Sequence, residues 1–464
     1  MVSETKGRRS EQEEAILNQI NVVKSQVEKF AGSVQSVLKT QYSQAFLEVI
    51  YTPLIAQLIY FKDELSKLGS TGEVFRSFDQ LYGAIIGDEL KSLSLGALER
   101  DVEWKQGNFD FVTFSPMNKY EKLIYSIFGI SYLEMRYIEP KQILPNTPRL
   151  DLRRRLKETI ESEGYAFTKN IVNFIPYTLF EGLLDHIQIK YPTAKVHWLD
   201  QIHNDNYIFY LAYLKEQGTQ IIGQPHGGAY SQVTPIFGNE IAEIMLSDQH
   251  HAPSWSEVDP GFPNLRASRN RFLNIKDIYR NIGQKRKSRY LVYLAVFFTK
   301  PETPENKSFV KDGMLTKFHR KKITELGQHF SVNFDFKIHP RQVEGVSEFE
   351  HFLRQLYPEC GVITKGEARS ISHNYEGVIF LDFWGSGIIE LASTNIPLFV
   401  YLGPEISISQ DYESFLWSTK ISSTRDNLAK GTYVEVNKKK YRSAYGASYL
   451  YPFYFARLIR KLMA

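Results

Sequence analysis

From about residue 166 onward, short apolar runs alternate with helical segments, and this alternation constrains the fold more than anything else in the chain. Lys195-Val196-His197-Trp198-Leu199-Asp200 reads as a strand, Asn206 to Gln217 as a helix, Thr219 to Gly223 as a strand and Glu243 to Asp248 as another strand. After a basic stretch the pattern resumes. A strand within Arg289 to Phe298 precedes helix 314–327, strand 332–338, helix 347–356, strand 377–381, helix 386–393 and strand 397–401. Strands that alternate with helices predict parallel sheets, because parallel neighbours need a long crossover between them. Two such runs in 464 residues exceed one ordinary core. The expected class is α/β, with two Rossmann-like domains facing a cleft.

The earlier part of the chain reads as helical. Ile16, Ile20, Val23, Val27 and Phe30 recur at spacings of three and four, which makes one apolar stripe. Tyr42 to Leu65 is a second, more apolar helical stretch, with a kink expected at Pro53. Glu48, Gln57 and Pro53 interrupt its apolar run, and a spanning helix needs roughly 20 mostly apolar residues. It therefore reads as a buried helix. Further helices are expected near 121–128, at 152–163, over Val172 to His186 and over Tyr441 to Leu462. The expected division is a helical N-terminal region at 1–68, an α/β domain at 69–270 and a basic linker at 271–285. A second α/β domain follows at 286–440, then a C-terminal helix at 441–464.

The single cysteine, Cys360, excludes an intramolecular disulfide and a cysteine-cluster metal site. That suits the cytosol. Met1 to Arg9 is polar with no apolar core after it, so no secretory signal is expected. Net charge is only +4, but it is unevenly placed. Arg266, Arg269, Arg271, Lys276, Arg280, Lys285, Arg286, Lys287 and Arg289 are opposed within their own segment by Asp277 alone. Such a segment is either a solvated face or an attractor of anionic lipid or phosphorylated substrate. No nucleic-acid-binding signature accompanies it.

Two motifs sit at expected strand ends, the edge where open α/β sheets bind ligands. The first is Gly223-Gln224-Pro225-His226-Gly227-Gly228-Ala229-Tyr230, whose glycines let backbone approach a ligand closely. The second is Lys337-Ile338-His339-Pro340-Arg341, where His339 can donate to a phosphate oxygen and Pro340 stiffens the turn. One strand later comes Asp382-Phe383-Trp384-Gly385-Ser386-Gly387-Ile388-Ile389-Glu390. Gly385, Ser386 and Gly387 offer backbone N–H groups at a helix start, a place that stabilises anions, and Glu390 can reach a ribose hydroxyl. Asp248, followed by His250 and His251, is a candidate base or nucleophile, with Asp200 as its rival. Adjacent histidines rarely share one ion, so no metal is expected. The Walker A, Gly-x-Gly-x-x-Gly, Gly-x-Ser-x-Gly and His-Glu-x-x-His patterns are all missing.

The helix Tyr42 to Leu65, the Gln-Pro-His-Gly-Gly-Ala-Tyr loop, the segment Ile244 to Asp248 with Trp255 after it, and the late Gly-Ser-Gly turn resemble the transferases of bacterial surface-carbohydrate loci. Those are similar in turn to the Kdo transferases of capsule, O-antigen and lipopolysaccharide assembly. The resemblance implies a GT-B-like fold and a metal-independent glycosyltransferase without cofactor. It implies a nucleotide-sugar donor, CMP-sugar favoured, and a glycan or lipid-linked glycan acceptor. It also implies a cytoplasmic enzyme or one peripheral to the inner face of the membrane. In that family a His-Pro pair holds the donor phosphate and a serine turn helps bind the nucleotide. Those roles fall on His339, Pro340 and Ser386, with Lys337, Arg341, Gly385, Gly387 and Glu390 beside them. Catalysis falls on Asp248 and His226, and the acceptor side on Gly227, Gly228, Asp200 and His250. The chain departs from the family at Pro225, which interrupts the usual Gln-His-Gly order, and at Gly385-Ser386-Gly387, which replaces paired serines. His250-His251 also replaces an aromatic-rich stretch. Two other readings stand beside transfer: a nucleotide-sugar epimerase of the same fold, and a non-catalytic glycan or nucleotide-sugar binding module.

Overall fold

The computed structural model describes residues 11–39, 42–61, 75, 78, 80–81, 107–113, 117, 119–135, 149–163, 165, 171–185, 191–199, 205–223, 238–252, 265–267, 286–294, 315–338, 346–366, 368–381, 388, 391, 394–402, 432–436 and 451–463. These build two six-stranded sheets. The first contains β1 (Asn108–Thr113), β2 (Tyr132–Glu134), β3 (Thr193–Leu199), β4 (Gln220–Gly223), β5 (Gln249–Ala252) and β6 (Leu265–Ala267). Its order is β2-β1-β3-β4-β5-β6, parallel throughout. The second contains β7 (Lys287–Leu294), β8 (Asn333–Ile338), β9 (Val362–Ile363), β10 (Tyr375–Phe380), β11 (Leu398–Leu402) and β12 (Thr432–Glu435). Its order is β12-β11-β10-β7-β8-β9, and only the β11–β12 pair is antiparallel. The α/β class and its two parallel sheets are therefore as the alternation implies.

Parallel strands are buried on both faces, so each sheet needs helical cover on two sides. Helix α1 (Glu11–Leu38) turns its stripe of Ile20, Val23, Val27, Phe30 and Val34 inward. Helix α2 (Gln44–Tyr60) starts at Ser43, whose hydroxyl accepts from the Phe46 N–H at 3.1 Å. It is buried along most of its length and stays continuous through Pro53. These N-terminal helices thus pack into the core around the first sheet. α2 lies against α1, α5 (Asp205–Glu216) and α6 (Gly238–Leu246), and this layer covers Val112, Leu199 and Ile221 of the first sheet.

The opposite face of that sheet presents Phe111, Val196, Trp198 and Ile222. It is covered by α3 (Lys119–Ile127) and by α9 (Tyr451–Met463), which follows the second sheet in sequence. Phe455 sits at the centre of this contact. Its ring centroid lies 4.4 Å from that of Trp198 and 5.4 Å from that of Phe111, both edge to face. The second sheet packs Val292, Phe336, Ile338 and Ile379 against Ile323 and Leu326 of α7 (Leu315–His329) and Leu353 of α8 (Val346–Leu356).

Two expected elements are corrected. Glu243 to Asp248 is not a strand: residues 238–246 are helix α6, and the strand follows at 249–252. A short apolar run looks the same for a strand and for a helix buried on several sides, and α6 is enclosed by α2 and the sheet. Val172 to His186 is not one helix either. It is a 3₁₀ turn at Ile171–Phe174 followed by short turns at Tyr177–Phe180 and Gly182–Asp185. Pro176 cannot donate a helical hydrogen bond. The carbonyls of Val172 and Ile175 accept instead from the Arg153 guanidinium at 2.9 and 3.0 Å.

Arg153 projects from α4 (Leu150–Glu163) and is buried. It also binds both oxygens of the fully buried Glu181, at 2.7 and 2.8 Å, while the Arg149 N–H adds a bond to Glu181 at 3.2 Å. The guanidinium lies over the Tyr177 ring. Both buried charges are thus compensated on all sides, and removing one partner strands the other. Glu181→Ala is expected to lose about 3–5 kcal/mol in chemical denaturation. The double variant Arg153→Met, Glu181→Leu is expected to recover most of that loss.

Candidate functional site

In open α/β sheets the ligand crevice lies outside the carboxyl ends of the strands, where the strand order reverses. In the first sheet the chain runs from β1 to β2, then crosses back to place β3 on the other side of β1. The reversal lies between β1, ending at Thr113, and β3, ending at Leu199. In the second sheet β7 is followed outward by β8 and β9, and then β10 starts on the far side of β7. That is the order of a doubly wound dinucleotide-binding sheet, with its reversal between β7 and β10.

Asp200, His226, Gly227, Gly228, His339, Pro340, Arg341, Gly385, Ser386, Gly387 and Glu390 lie outside the described residues. The strands that lead into them are described. Asp200 is the residue directly after β3, beside the first reversal. Leu199 pairs in register with Gly223, so the chain enters Asp200 and the His226 loop from adjacent strands. His339 directly follows β8, and the Gly385-Ser386-Gly387 turn follows β10. β8 and β10 flank β7, so these two segments leave one edge roughly 10 Å apart, two strand spacings.

Asp248 is placed elsewhere. It precedes β5 and therefore sits at the amino end of the strand, the edge opposite the crevice. One carboxylate oxygen accepts from Lys215 at 3.0 Å and the other from the Ile221 N–H at 2.7 Å, while the Asp248 N–H donates to Ile221 O at 2.8 Å. Lys215 also donates to Leu246 O at 3.0 Å. Asp248 thus ties α5, α6 and β4 together, and its assignment to the crevice edge is corrected. The strand expected over 243–248 reversed the edge to which it belongs.

His250 is the second residue of β5 and is fully buried. Its ring lies against Gly223, where a β-carbon would collide with Ser247 Oγ and His250 Nδ1. Only glycine fits at this point, one residue before the His226 loop. Neither ring nitrogen of His250 has a hydrogen-bond partner among the described residues. Burial, with His251 next in effect, pushes its pKa down from 6.5 to about 3. His251 is the adjacent strand residue and faces the other side of the sheet, so the pair does not converge on one ion.

Lys337 is buried at the end of β8. Its ammonium donates to Ile338 O at 2.5 Å and lies 3.5 Å from Thr364 O, with no carboxylate partner among the described residues. Burial lowers its pKa. Toward the other end of β8, Asp335 accepts from Gly361 N–H and Arg289 at 2.8 Å each and from the Tyr375 hydroxyl at 2.9 Å. Burial alone would raise its pKa, but these donors outweigh it and hold the carboxyl below its usual range. Arg289 and Lys287, counted in the sequence among unopposed basic residues, are strand residues facing Asp335.

Sequence reasoning passed over Glu240 and Glu243. Both are buried on α6, in the turns that directly follow the His226 loop. Two glutamates three residues apart were a helical signal, masked by the apolar residues around them.

No protein-family model matches this chain, and no curated protein matches it in sequence. Several solved structures are similar at a distance. A Listeria monocytogenes protein assigned as a UDP-N-acetylglucosamine 2-epimerase shares 10% identity over 62% of this chain and 77% of its own, with a TM-score of 0.32. The UDP-GlcNAc 2-epimerase of Neisseria meningitidis, bound to UDP-GlcNAc, shares 12% identity over 75% of this chain and 85% of its own, with a TM-score of 0.28. Likeness at that level does not fix an activity.

The His250 environment has a pH consequence. The fold keeps the imidazole neutral down to about pH 3, whereas the unfolded chain protonates it near 6.5. Its contribution is complete above about 6.5 and is lost as pH falls below that value, at up to ~1.4 kcal/mol per pH unit. Urea denaturation between neutral pH and the carboxylate range is expected to show this slope. His250→Gln is expected to flatten it.

Proposed function

We propose that this chain is an enzyme acting on a nucleotide sugar, with the nucleotide at the carboxyl edge of the second sheet. The observation that carries this reading is the strand order β10-β7-β8. It sets the carboxyl ends of β8 and β10, which lead into His339 and toward Gly385-Ser386-Gly387, on either side of β7. A buried lysine without a carboxylate partner among the described residues, Lys337, adds positive potential at the same edge, which suits a phosphate. The first sheet then supplies the reacting groups from its own reversal, where Asp200 and the His226 loop leave adjacent strands.

Two reactions fit this arrangement. Epimerisation is put first, because it requires only the one bound nucleotide sugar. The second is transfer to a surface glycan or lipid-linked glycan, the activity implied by the resemblance of the Gln-Pro-His-Gly-Gly-Ala-Tyr loop. On this reading the enzyme needs no metal or cofactor, and a CMP-sugar is the favoured donor for transfer. An acceptor on a lipid carrier would bring it to the inner face of the membrane. No helix among the described residues is long and apolar enough to cross a bilayer.

Thermal-shift measurements with UDP, CMP, GDP and ADP test the nucleotide site, since a ligand of the folded state raises Tm by mass action. No shift with any of them would remove the proposal. Incubation of UDP-GlcNAc and CMP-sugars with and without acceptor then separates the reactions. A changed sugar configuration without acceptor marks the epimerase, and acceptor-dependent release of nucleotide marks the transferase. His339→Ala is expected to weaken nucleotide binding by roughly 1.5–3 kcal/mol in calorimetry while the apo protein melts as wild type.

Asp200→Asn is expected to retain nucleotide binding while turnover falls by a factor on the order of 10²–10⁴. Asp248→Asn is expected to do the reverse, keeping turnover and losing about 1–3 kcal/mol of stability, because the amide leaves one uncharged acceptor oxygen for the two donors, Lys215 and the Ile221 N–H. Normal turnover in Asp200→Asn would exclude that residue from the chemistry.

A further inference from the structure

Helices α3 and α9 pack side by side over one face of the first sheet, and their outer surface is unlike the rest of the described exterior. α3 buries Ile124 and Tyr125 but exposes Tyr120, Leu123 and Ile127, at 42%, 56% and 66%. Their spacing of three and four places them on one stripe. α9 continues the surface. It buries Phe455, Ala456 and Ile459, leaves Leu458, Leu462 and Met463 half-buried, and exposes Arg457, Arg460 and Lys461. The two helices are joined through Phe453, whose ring meets Tyr120 and Phe128 edge to face.

Basic residues outnumber acidic ones around the stripe, where Glu121 and the Glu134 that pairs with Lys122 are the acids on or beside α3. Lys119, Arg457, Arg460 and Lys461 have no acidic partner among the described residues. Lys122 is neutralised by Glu134 at 2.5 Å. An apolar stripe bordered by unopposed cations complements the interface of an anionic bilayer. There large aliphatic and aromatic side chains enter the acyl boundary while lysine and arginine meet the headgroups. We infer that the α3–α9 face is a membrane-docking surface for anionic lipid, with Tyr120, Leu123 and Ile127 inserting and Arg457, Arg460 and Lys461 binding headgroup phosphate. This inference does not rest on the nucleotide-sugar reading. It is also distinct from attraction by the basic segment between β6 and β7.

The test is flotation of the full chain with vesicles of phosphatidylcholine alone or mixed with phosphatidylglycerol, at low and high salt. The wild type is expected to float with the anionic vesicles and not with the neutral ones, and less at high salt. Leu123→Asp with Ile127→Asp is expected to abolish flotation, and Arg457→Gln with Arg460→Gln and Lys461→Gln to weaken it about a hundredfold. Both sets change exposed positions, so their Tm values are expected to match wild type. A folded Leu123→Asp, Ile127→Asp variant that floats like wild type overturns the proposal. So does loss of flotation confined to a variant neutralised between Arg269 and Arg286. Sedimentation showing a dimer that Leu123→Asp disrupts, without vesicle binding, would assign the stripe to a second copy of the chain and would equally overturn it.

Discussion

A parallel sheet has no face it can leave to water, and the first sheet meets that requirement with helices from widely separated parts of the chain. One face is covered by α1, α2, α5 and α6, the other by α3 and α9. The second cover is decisive. Trp198, Phe111 and Ile222 sit at the middle of the sheet, and Phe455 closes over them from a helix that comes after all twelve strands. β3 and β4, which lead into Asp200 and the His226 loop, lie between these two layers. The strands that lead into the candidate groups therefore depend on packing far from them in sequence.

Both sheets treat their two edges differently. Toward the amino ends, carboxylates are used as fasteners. Asp248 binds Lys215 and the Ile221 N–H, Asp335 gathers Arg289, Tyr375 and Gly361, and Asp110 binds Ser131 and Lys195. Each of these acids is satisfied by protein donors. The carboxyl ends of β8 and β4 carry instead a buried lysine whose partners among the described residues are carbonyls, and a glycine with no room for a side chain against the buried His250, which has no hydrogen-bond partner among the described residues. One edge is closed by paired charges, and the other keeps unspent polarity.

How far the sequence could be read followed from local physics. The strands ending at Leu199, Gly223, Ile338 and Phe380 stood out because each is a short apolar run between helices. Even so, β1 escaped notice because Asn108 and Asp110 dilute its apolar residues, and β5 because its middle is two histidines. The error at Asp248 came from α6: a helix buried on several sides loses the polar stripe that announces a helix. The turns after Val172 were illegible because their geometry is set by Arg153, some twenty residues earlier, taking carbonyls that a helix would use. Contacts across such distances leave no periodic trace.

The lateness of α9 also bears on how the protein is made. The strands of the first sheet are all synthesised once Ala267 has been added, but the helix that covers Trp198 begins only at Tyr451. At ~5–20 residues per second, translation of the intervening segment takes on the order of tens of seconds. Throughout that interval the face of the first sheet beneath α9 has only α3 over it, and Trp198 lacks the Phe455 ring that closes over it. The sheet translated first is thus completed last, and a ribosome that stalls within the second sheet leaves behind a first sheet with one face only partly covered.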